Sequence, residues 1–397
     1  MQGYPRSDGR KGIRNVVVIA YLVECARHVA HEIALGFRER DVHVIGFSGC
    51  FRSAYGFQMM ERLCCHPNVG AVLLVSLGCE GFDRGQLEAR IEASSRPVET
   101  LVIQNRGGTS ATIAAGQKWL EGTLATLEEQ KPVPMSSHEL VVGTICGGSD
   151  TTSGLTANPA VGKAFDLLVE EGAAVLFEET GELIGCEHFM AERAVRPELG
   201  QEILACMAKA VEYYRTMGQG SIEEGNLEGG LSTIEEKSLG AYAKSGQSAI
   251  KGLLKPGDQP PEGGLYLLDI VPDGEPRFGF PSINDNQEIA ELMASGCQVI
   301  LFTTGRGSVV GSAVAPVIKV CANPQTYRNL ADDMDVNAGR ILEGEASLSE
   351  VGEEIRDLVR AVAGGARSRS EALGHREFVL GYKSFEPIGP ACLPGSG

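Results

Sequence analysis

The chain has 397 residues, a formal net charge of −17 and 11 cysteines. So acidic a protein is repelled by nucleic acid and by anionic membrane surfaces, which argues against both as partners. No apolar run approaches the roughly 20 residues that a membrane span needs, and the first residues lack the apolar core of a secretory signal. The dispersed cysteines therefore predict free thiols in a reducing cytoplasm, not a disulfide scaffold.

Short apolar runs alternate with helical patterns through the first third of the chain. Strands are predicted at 16–20, 42–47, 71–76 and 100–104, and helices at 26–37, around 59–62 and at 110–128. This alternation is typical of a parallel sheet with helices on its faces. A basic, turn-rich segment at 3–15 precedes the first strand, and it predicts either an anion site or a solvated terminus.

The segment 131–137, which contains two prolines, breaks the pattern and is the predicted domain boundary. Beyond it, strands are predicted at 140–145, 173–177, 265–271, 298–303 and 317–321, helices at 198–217 and 343–363, long loops at 218–230 and 251–264, and an extended tail from 383. The predicted fold is α/β, with two Rossmann-like parallel-sheet domains at 1–135 and 136–397. We expect the active-site cleft to lie between them, and the second domain to be the catalytic one.

The most informative stretch runs from residue 140 to residue 163. Its buried-strand pattern ends on Cys146, and two glycines follow that let a backbone approach a ligand closely. The next residues, 149–153, place hydroxyls and one carboxylate in a loop. In a parallel sheet such a carboxyl edge is where ligands bind. The alternative is a glycine-rich turn with a buried free thiol, because cysteine is among the most buried residue types.

Three predicted strands are followed closely by a cysteine, namely Cys25, Cys79 and Cys146, and Cys50 follows a fourth strand in the same way. If these strands lie in neighbouring sheets that face one cleft, the thiols can converge. Three thiolates with one open position suit an iron–sulfur cluster whose unligated iron acts as a Lewis acid. A single ferrous ion would instead take imidazole and carboxylate ligands. Candidates for that alternative are His188, Glu178 and Glu179.

Carboxylates also end a strand in the second half, at Glu178 and Glu179. A carboxylate at such an edge can remove a proton from a carbon acid or bind a metal, whereas the alternative is a solvated pair on a turn. A second exit, 303–308, offers backbone N–H groups and the Arg306 fork to a carboxylate or sulfonate. The chain has no GxxxxGK[ST] motif and no GxGxxG after a first strand, which weakens ATP and dinucleotide interpretations.

Seven motifs in one order resemble the altronate and galactarate dehydratase family. They are residues 3–10 with 14–15, 77–80, 104–109, 146–150 with 154–159, 236–240, 302–308 and 335–340. The resemblance covers nearly the whole chain. It implies an enzyme that eliminates a group β to a carboxylate from a sugar acid and that requires ferrous iron.

The chain departs from that family in two places. Family members usually carry a small β-rich domain before the motif at 3–10, whereas this sequence begins directly at it, which resembles the large subunit of a two-subunit enzyme. The segment 47–51 also lacks the histidine usual before Gly49-Cys50, and 280–286 replaces the usual segment. With the closing residues 383–394, these changes resemble a branch of the family that expels sulfite from a sulfonated hydroxy acid.

For such an enzyme we expect iron, either as ferrous ion or as a cluster with an open iron, at Cys25, Cys79 and Cys146. Glu179 or His188 is the expected base, with Lys163 as a weaker candidate. The expected substrate-binding residues are Arg14, Arg106, Ser149, Asp150, Asn158, Thr304, Arg306 and Lys319. A small β-rich partner subunit and a higher oligomer are expected as well. Sugar-acid dehydration and a non-catalytic sugar-acid-binding subunit remain alternatives.

Overall fold

The computed structural model describes residues 1–217, 224–274, 284–381 and 383. The strands are β1 (Gln2–Pro5), β2 (Lys11–Gly12), β3 (Val16–Tyr21), β4 (Val42–Gly46), β5 (Val69–Ser76), β6 (Val98–Val102), β7 (Val133–Pro134), β8 (Val141–Cys146), β9 (Ala174–Phe177), β10 (Ile250–Leu254), β11 (Gly264–Leu268), β12 (Val299–Thr304), β13 (Val317–Cys321) and β14 (Val336–Asn337). The helices are α1 (Arg27–Leu35), α2 (Ala54–Cys64), α3 (Arg84–Ala93), α4 (Thr109–Glu129), α5 (Ala157–Glu170), α6 (Glu187–Glu192), α7 (Pro197–Met217), α8 (Glu224–Glu228), α9 (Ile234–Ala243), α10 (Asp285–Ala294), α11 (Pro324–Asn329), α12 (Leu348–Ala363) and α13 (Arg369–Leu373).

The N-terminal half forms a four-stranded parallel sheet in the order β4-β3-β5-β6. Successive β-branched residues of β3 point to opposite faces, as the pleat requires. Val17 and Ile19 join the core with α1 and α4, whereas Val18 and Ala20 face the second half of the chain. The sheet is therefore covered on both sides, which explains why its strands read as nearly continuous apolar runs.

The C-terminal half forms a seven-stranded parallel sheet in the order β10-β11-β9-β8-β12-β13-β14. The first strand of this half, β8, lies at the centre, and the chain leaves it towards β9 on one side and β12 on the other. The strand order thus reverses between β8 and β12. In open α/β sheets, ligands bind outside the carboxyl ends of the strands at such a switch point.

The two sheets share a middle layer that contains α2 and α10. Every residue of α10 from Gln287 to Ala294 is buried, because one core cluster spans both sheets and the helices between them. The start of α2 is joined to α10 by a 2.6 Å hydrogen bond from the Tyr55 hydroxyl to Glu291. Both helices begin at the carboxyl edges of their sheets, so the two edges lie on the same side of the molecule.

The amino ends of the two sheets are joined by His66 and Asn68, both buried. The Nε2 atom of His66 lies 3.1 Å from the carbonyl oxygen of Cys297, and its Nδ1 accepts a hydrogen bond of 3.1 Å from the Asn68 N–H. The Asn68 amide nitrogen donates to the carbonyl oxygens of Gln298 and Val314, each at 3.2 Å. These bonds hold the start of β5 against the start of β12.

The expectation of an α/β fold with parallel sheets is confirmed, and most predicted strands and helices lie within a few residues of the observed ones. The predicted loop at 251–264 is wrong at its start, where β10 forms the edge of the larger sheet beside β11. The segment at 131–137 is not a simple break, because β7 pairs antiparallel with β1. Of the predicted loop at 218–230, residues 218–223 lie outside the described ones and the remainder includes α8. Within the described residues, no helix is long and apolar enough to cross a membrane.

Candidate active site

The candidate site lies where β8, β9 and β12 end. Cys146 is the last residue of β8, and Glu178 and Glu179 directly follow β9. The loop after Cys146 is tied to the end of β12, since the Gly147 N–H donates to the Thr303 carbonyl at 3.0 Å and the Arg306 N–H donates to the Gly148 carbonyl at 2.8 Å. The switch point predicted from the strand order is thus occupied by the glycine-rich loop and a thiol.

Glu179 adopts a left-handed backbone conformation with φ 73°, which is uncommon for a residue other than glycine. It begins the short 3-10 turn Thr180–Leu183. Both of its carboxylate oxygens lie 3.2 Å from the Cys146 N–H that donates to them. Strained backbone of this kind persists where the surroundings hold it, and it clusters at active sites.

The Cys146 thiol is buried between two carboxylates. Its Sγ atom lies 3.3 Å from a Glu179 oxygen and 3.1 Å from a Glu182 oxygen, and the Ser149 hydroxyl lies 3.6 Å away. Burial raises the pKa of this thiol well above its usual value, and the two carboxylates raise it further. Cys146 is therefore a protonated donor to the carboxylates in this arrangement.

Two buried lysines balance these carboxylates. Lys244 pairs with Glu179, and Lys237 pairs with Glu182 at 2.7 Å. Burial alone would lower the pKa of Lys244, but its surrounding thiol and carboxylates raise it above the usual value. Burial raises the pKa of Glu179 to about 7 against the opposing effect of Lys244. For Glu182 the balance is reversed, because its two lysine neighbours outweigh burial and lower the pKa.

A second group of carboxylates adjoins the first. Oxygen atoms of Glu178, Glu179 and Glu288 lie within 4.8 Å of one another, and all three residues are buried. Burial and their mutual repulsion raise the pKa values of Glu178 and Glu288 well above the usual value. Glu291, one turn further along α10, is held by Lys383 at 2.7 Å.

We call this set the buried acidic cluster. It consists of Glu178, Glu179, Glu182, Glu288, Glu291, Lys237, Lys244 and Lys383. Five carboxylates against three ammonium groups leave 5 − 3 = 2 negative charges unmatched when all are ionised. Because buried unpaired charge is costly, two protons or one divalent cation would balance the charge of these eight groups.

The donor set fits a divalent cation. Glu178 Oε1 is buried and has no hydrogen-bond partner within the described residues, and hard or borderline divalent cations take carboxylate oxygens as ligands. A second possible group combines Cys146 with Glu179 and Glu182. The described part of the chain therefore offers metal-binding groups at this edge, built mainly from carboxylates.

Several predicted substrate-binding residues lie around the same edge. Ser149 contacts the Cys146 thiol, and Thr304 ends β12. The Asp150 carboxylate accepts hydrogen bonds from Thr152, Ser153 and Asn323 and so shapes the loop. Arg306 bonds the Gly225 carbonyl and pairs at 3.0 Å with Glu228, which is largely exposed. Asn158 donates to the Gly240 carbonyl at 3.0 Å.

The structure places two predicted cations elsewhere. Arg14 pairs with Glu371 at 2.7 Å and also donates to the carbonyls of Val362 and Ala366. Arg106 is exposed and pairs with Glu99 at 2.8 Å. Both guanidinium groups are thus used in contacts away from the buried acidic cluster.

Three further candidates also lie apart from it. The stem of Lys163 packs against Gly352 of α12, on the outer face of the larger sheet. His188 is exposed on α6. Lys319 is fully buried in β13, where its ammonium group lies 3.3 Å from the Val310 carbonyl and burial lowers its pKa. None of the contacts found for these side chains involves Cys146 or Glu179.

The structure does not bring the three predicted thiol ligands around one ion. Cys25 and Cys79 are exposed and follow strands of the four-stranded sheet, whereas Cys146 is buried in the larger one. Among the described residues, the groups able to hold a single ion contain Cys146 but neither of the other two. The reason is that each half of the chain builds its own sheet, so equivalent strand ends belong to two different edges.

Sequence analysis missed Glu182, Lys244, Glu288, Glu291 and Lys383. The two glutamates of α10 are three residues apart and would be exposed on an ordinary surface helix. The available signal was weak, because Ile289, Ala290 and Leu292 are apolar but the first turn of the helix, residues 285–288, is polar. Lys237 lies in the motif at 236–240 but was not among the expected site residues.

Two family models match the chain. One, described as "D-galactarate/Altronate dehydratase, C-terminal", matches residues 137–385, and "D-galactarate dehydratase/Altronate hydrolase, second domain" matches residues 3–128. The chain is 35% identical to "(2R)-sulfolactate sulfo-lyase subunit beta" of Chromohalobacter salexigens, over 95% of this chain and 96% of that protein. It is 33% identical to "Galactarate dehydratase (L-threo-forming)" of Escherichia coli, over 92% of this chain and 73% of that protein. It is 30% identical to "Altronate dehydratase" of Bacillus subtilis, over 96% and 77%.

Proposed function

Because the chain belongs to the galactarate and altronate dehydratase family, whose named members are lyases, we propose that it is the large subunit of a (2R)-sulfolactate sulfo-lyase. Such an enzyme eliminates sulfite from 3-sulfolactate and leaves pyruvate. The relative with the sulfo-lyase name supports this proposal, because it matches along nearly its whole length. The structural observation that carries it is the buried Glu179 carboxylate, paired with Lys244 beside the end of β8.

The reaction needs a base next to a carbon acid. In 3-sulfolactate the hydroxyl-bearing carbon is α to the carboxylate, and the sulfonate is on the next carbon. Removal of the α proton forms a carbon–carbon double bond while the carbon–sulfur electron pair leaves with sulfite. The resulting enol becomes pyruvate. Negative charge that develops on the substrate carboxylate must be stabilised in the site.

Glu179 suits the role of base. Its pKa of about 7 lies where a carboxylate is both substantially ionised at neutral pH and basic enough to take a proton. Lys244 and the Cys146 N–H fix the orientation of its carboxylate. His188 and Lys163 are weaker candidates, because the first is exposed on α6 and the second packs against α12.

We further propose that the metal is iron and that Glu178 and Glu288 hold it beside Glu179. When bound, ferrous iron would supply Lewis-acid stabilisation of the enediolate-like charge. The two unmatched negative charges of the buried acidic cluster support a site for a divalent cation. The unpartnered oxygen of Glu178 supports it as well.

Arg306 is the proposed partner of the substrate sulfonate or carboxylate. Its present partner Glu228 is largely exposed, and a solvent-screened ion pair of that kind is weak. A substrate anion can therefore replace it at little cost. The N–H groups of Gly305, Arg306 and Gly307 are already bonded within the loops, so the anion would be held by the Arg306 side chain.

Sugar-acid dehydration is the second candidate function. The galactarate and altronate dehydratases match over more than nine-tenths of this chain, and the same base could act when water is the leaving group. The printed name of the sulfo-lyase relative includes "subunit beta". That name supports a separate small subunit here, which we propose as the partner.

The test is a substrate comparison without oxygen, with the small partner subunit and ferrous iron present. We expect sulfite and pyruvate from 3-sulfolactate, and no turnover of altronate or galactarate. Turnover of altronate or galactarate, but not of 3-sulfolactate, would show that the enzyme is a hydro-lyase. A fully assembled, iron-loaded complex that turns over none of the three would contradict both candidate functions.

A further inference from the structure

Three cysteines differ from all the others that the structure describes. Cys25, Cys50 and Cys79 are exposed, whereas the remaining described cysteines are buried or, for Cys65, partly buried. A free cysteine is usually a buried residue, and its reactivity, more than its packing, decides whether an accessible one is kept. Three accessible thiols in one part of a fold therefore call for a chemical explanation.

The three thiols lie at one edge of the four-stranded sheet. Cys25 follows the last residue of β3 by four positions, Cys50 follows the end of β4 by four, and Cys79 follows the end of β5 by three. The register pairs Tyr21 of β3 with Gly46 of β4 and Val75 of β5, so these strands end level with one another. The order β4-β3-β5 makes them direct neighbours.

Backbone hydrogen bonds tie the three loops together. The Glu24 N–H donates to the Ser48 carbonyl at 3.2 Å, which joins the loop of Cys25 to that of Cys50. The Gly81 N–H donates to the Cys50 carbonyl at 2.8 Å, which joins the loop of Cys50 to that of Cys79. The thiols are thus held in the same neighbourhood by main-chain geometry.

The three thiols do not form a site for a single ion in the described chain. The three Sγ atoms do not all lie within 4.8 Å of one another, since they are absent from the groups of the described chain that could hold one ion. In an iron–sulfur cluster, each thiolate binds a different iron atom, so the ligand sulfurs are farther apart than around a single zinc ion. Cysteine thiolates are the ligands that such clusters take.

Helix α2 connects this edge to the buried acidic cluster. Helix α2 begins four residues after Cys50, and its Tyr55 hydroxyl donates to Glu291 of the buried acidic cluster. If a cluster with four iron atoms were bound, three thiolates would leave one iron without a protein ligand among them.

We propose that Cys25, Cys50 and Cys79 bind an iron–sulfur cluster through three thiolates, with one iron open. This set replaces Cys146, the buried thiol of the other sheet, by Cys50. Any part of the cluster in the elimination would rest on the proposed function, in which iron at Glu178 and Glu288 is the Lewis acid, but the binding of the cluster does not rest on it. The proposal therefore has a readout that is independent of turnover.

The experiment reconstitutes the full chain with ferrous iron and sulfide in the absence of oxygen. Bound iron and acid-labile sulfide are then measured, together with the visible absorption of the centre. We expect the wild type to bind both and Cys25→Ser, Cys50→Ser and Cys79→Ser each to lose most of both. Cys146→Ser and Cys65→Ser, the matched controls, should keep them. Circular dichroism checks that every variant is folded.

Three results would overturn the proposal. These are a wild type that binds no sulfide, a wild type that takes up zinc in preference to iron and sulfide, and loss of the cluster in Cys146→Ser but not in Cys50→Ser. A chain that binds the cluster through the three thiols but does not turn over 3-sulfolactate with its partner would leave this inference intact and contradict the proposed function. A reconstituted chain that binds no cluster but turns over 3-sulfolactate would contradict this inference and leave the proposed function intact.

Discussion

The carboxyl edges of the two sheets lie on the same side of the molecule but have opposite chemistry. The edge of the seven-stranded sheet is closed, and its carboxylates are paired with Lys244, Lys237 and Lys383 in the interior. The edge of the four-stranded sheet is open, and its thiols lie at the surface. One sheet therefore presents buried carboxylates, which are hard ligands, and the other presents accessible thiols, which are soft ligands.

This difference separates two tasks that the sequence alone had merged. Proton transfer needs a group whose pKa is set by burial and by nearby charge, and Glu179 meets that need. A thiolate centre needs accessible cysteines on loops that can adjust around it. Substitutions, pH titration and thiol alkylation can each test this contrast.

The largest effect is expected for Glu179→Gln. Loss of a general base typically costs about 10²- to 10⁴-fold in rate, so kcat with the substrate identified for the complex should fall by that amount. Glu192→Gln, an exposed carboxylate on α6, is the matched control and should keep wild-type turnover. If kcat of the Glu179→Gln enzyme stayed within about tenfold of the wild-type value, Glu179 would not be the base.

Lys244→Met should destabilise the fold by about 3–5 kcal/mol, because it leaves Glu179 buried without its cation. The pKa of Glu179 should also rise further. The exposed pair of Lys251 with Glu262 supplies the comparison, and Lys251→Met should cost less than about 1 kcal/mol. Urea unfolding of both variants measures the difference. Combining Lys244→Met with Glu179→Gln should restore part of the loss, and equal costs for the two lysine variants would contradict the buried pairing.

The junction of the two sheets at His66 should make the free energy of unfolding depend on pH. Burial, reinforced by Arg10, lowers the pKa of His66 to about 3 from the unfolded value of 6.5. Between these values the unfolded chain binds the extra proton, so His66 stabilises the fold above pH 6.5 and that stability is lost as the pH falls. From pH 6.5 to pH 5 the loss should be about 2 kcal/mol.

Unfolding titrations at a series of pH values measure this slope. His66→Asn removes the titrating group, so its stability should depend less on pH over the same interval. If the free energy of unfolding of His66→Asn depended on pH as strongly as that of the wild type, the His66 imidazole would not be the group responsible.

The smallest effect expected is a difference in thiol reactivity between the edges. Alkylation of the metal-free chain near pH 8, followed by mass spectrometry of peptides, should modify Cys25, Cys50 and Cys79 at least about tenfold faster than Cys146. The thiol of Cys146 is buried and its pKa is raised well above the usual value, so little thiolate is present. Comparable rates at Cys146 and Cys50 would mean that the closed edge opens readily.

The fold was largely predictable because its strands are buried on both faces. Runs such as 140–145 and 317–321 are apolar and rich in β-branched residues, and these features predict β8 and β13 directly. The edge strand β10 was missed, since it contains Lys251 and Gly252 and lies beside a proline-rich segment. Edge strands carry weak patterns of this kind, because only part of their surface is buried.

The site was predictable only in part. Cys146 and Glu179 follow strand ends, and both lie in the cluster that the structure shows. Periodicity cannot tell which strand ends share a sheet, and for that reason Cys25 and Cys79 were grouped with Cys146, which ends a strand of the other sheet. It also cannot show that α10 lies between two sheets, where Glu288 and Glu291 become interior groups.

The bond between Lys383 and Glu291 has a consequence for the far end of the chain. Both side chains are almost fully enclosed, and Glu291 also receives the Tyr55 hydroxyl from the first half of the protein. Truncation of the chain just before Lys383 would leave the buried Glu291 carboxylate without its cation, with the Tyr55 hydroxyl as its remaining partner. Lys383 is thus one of the three cations that offset the charge of the five carboxylates in the buried acidic cluster.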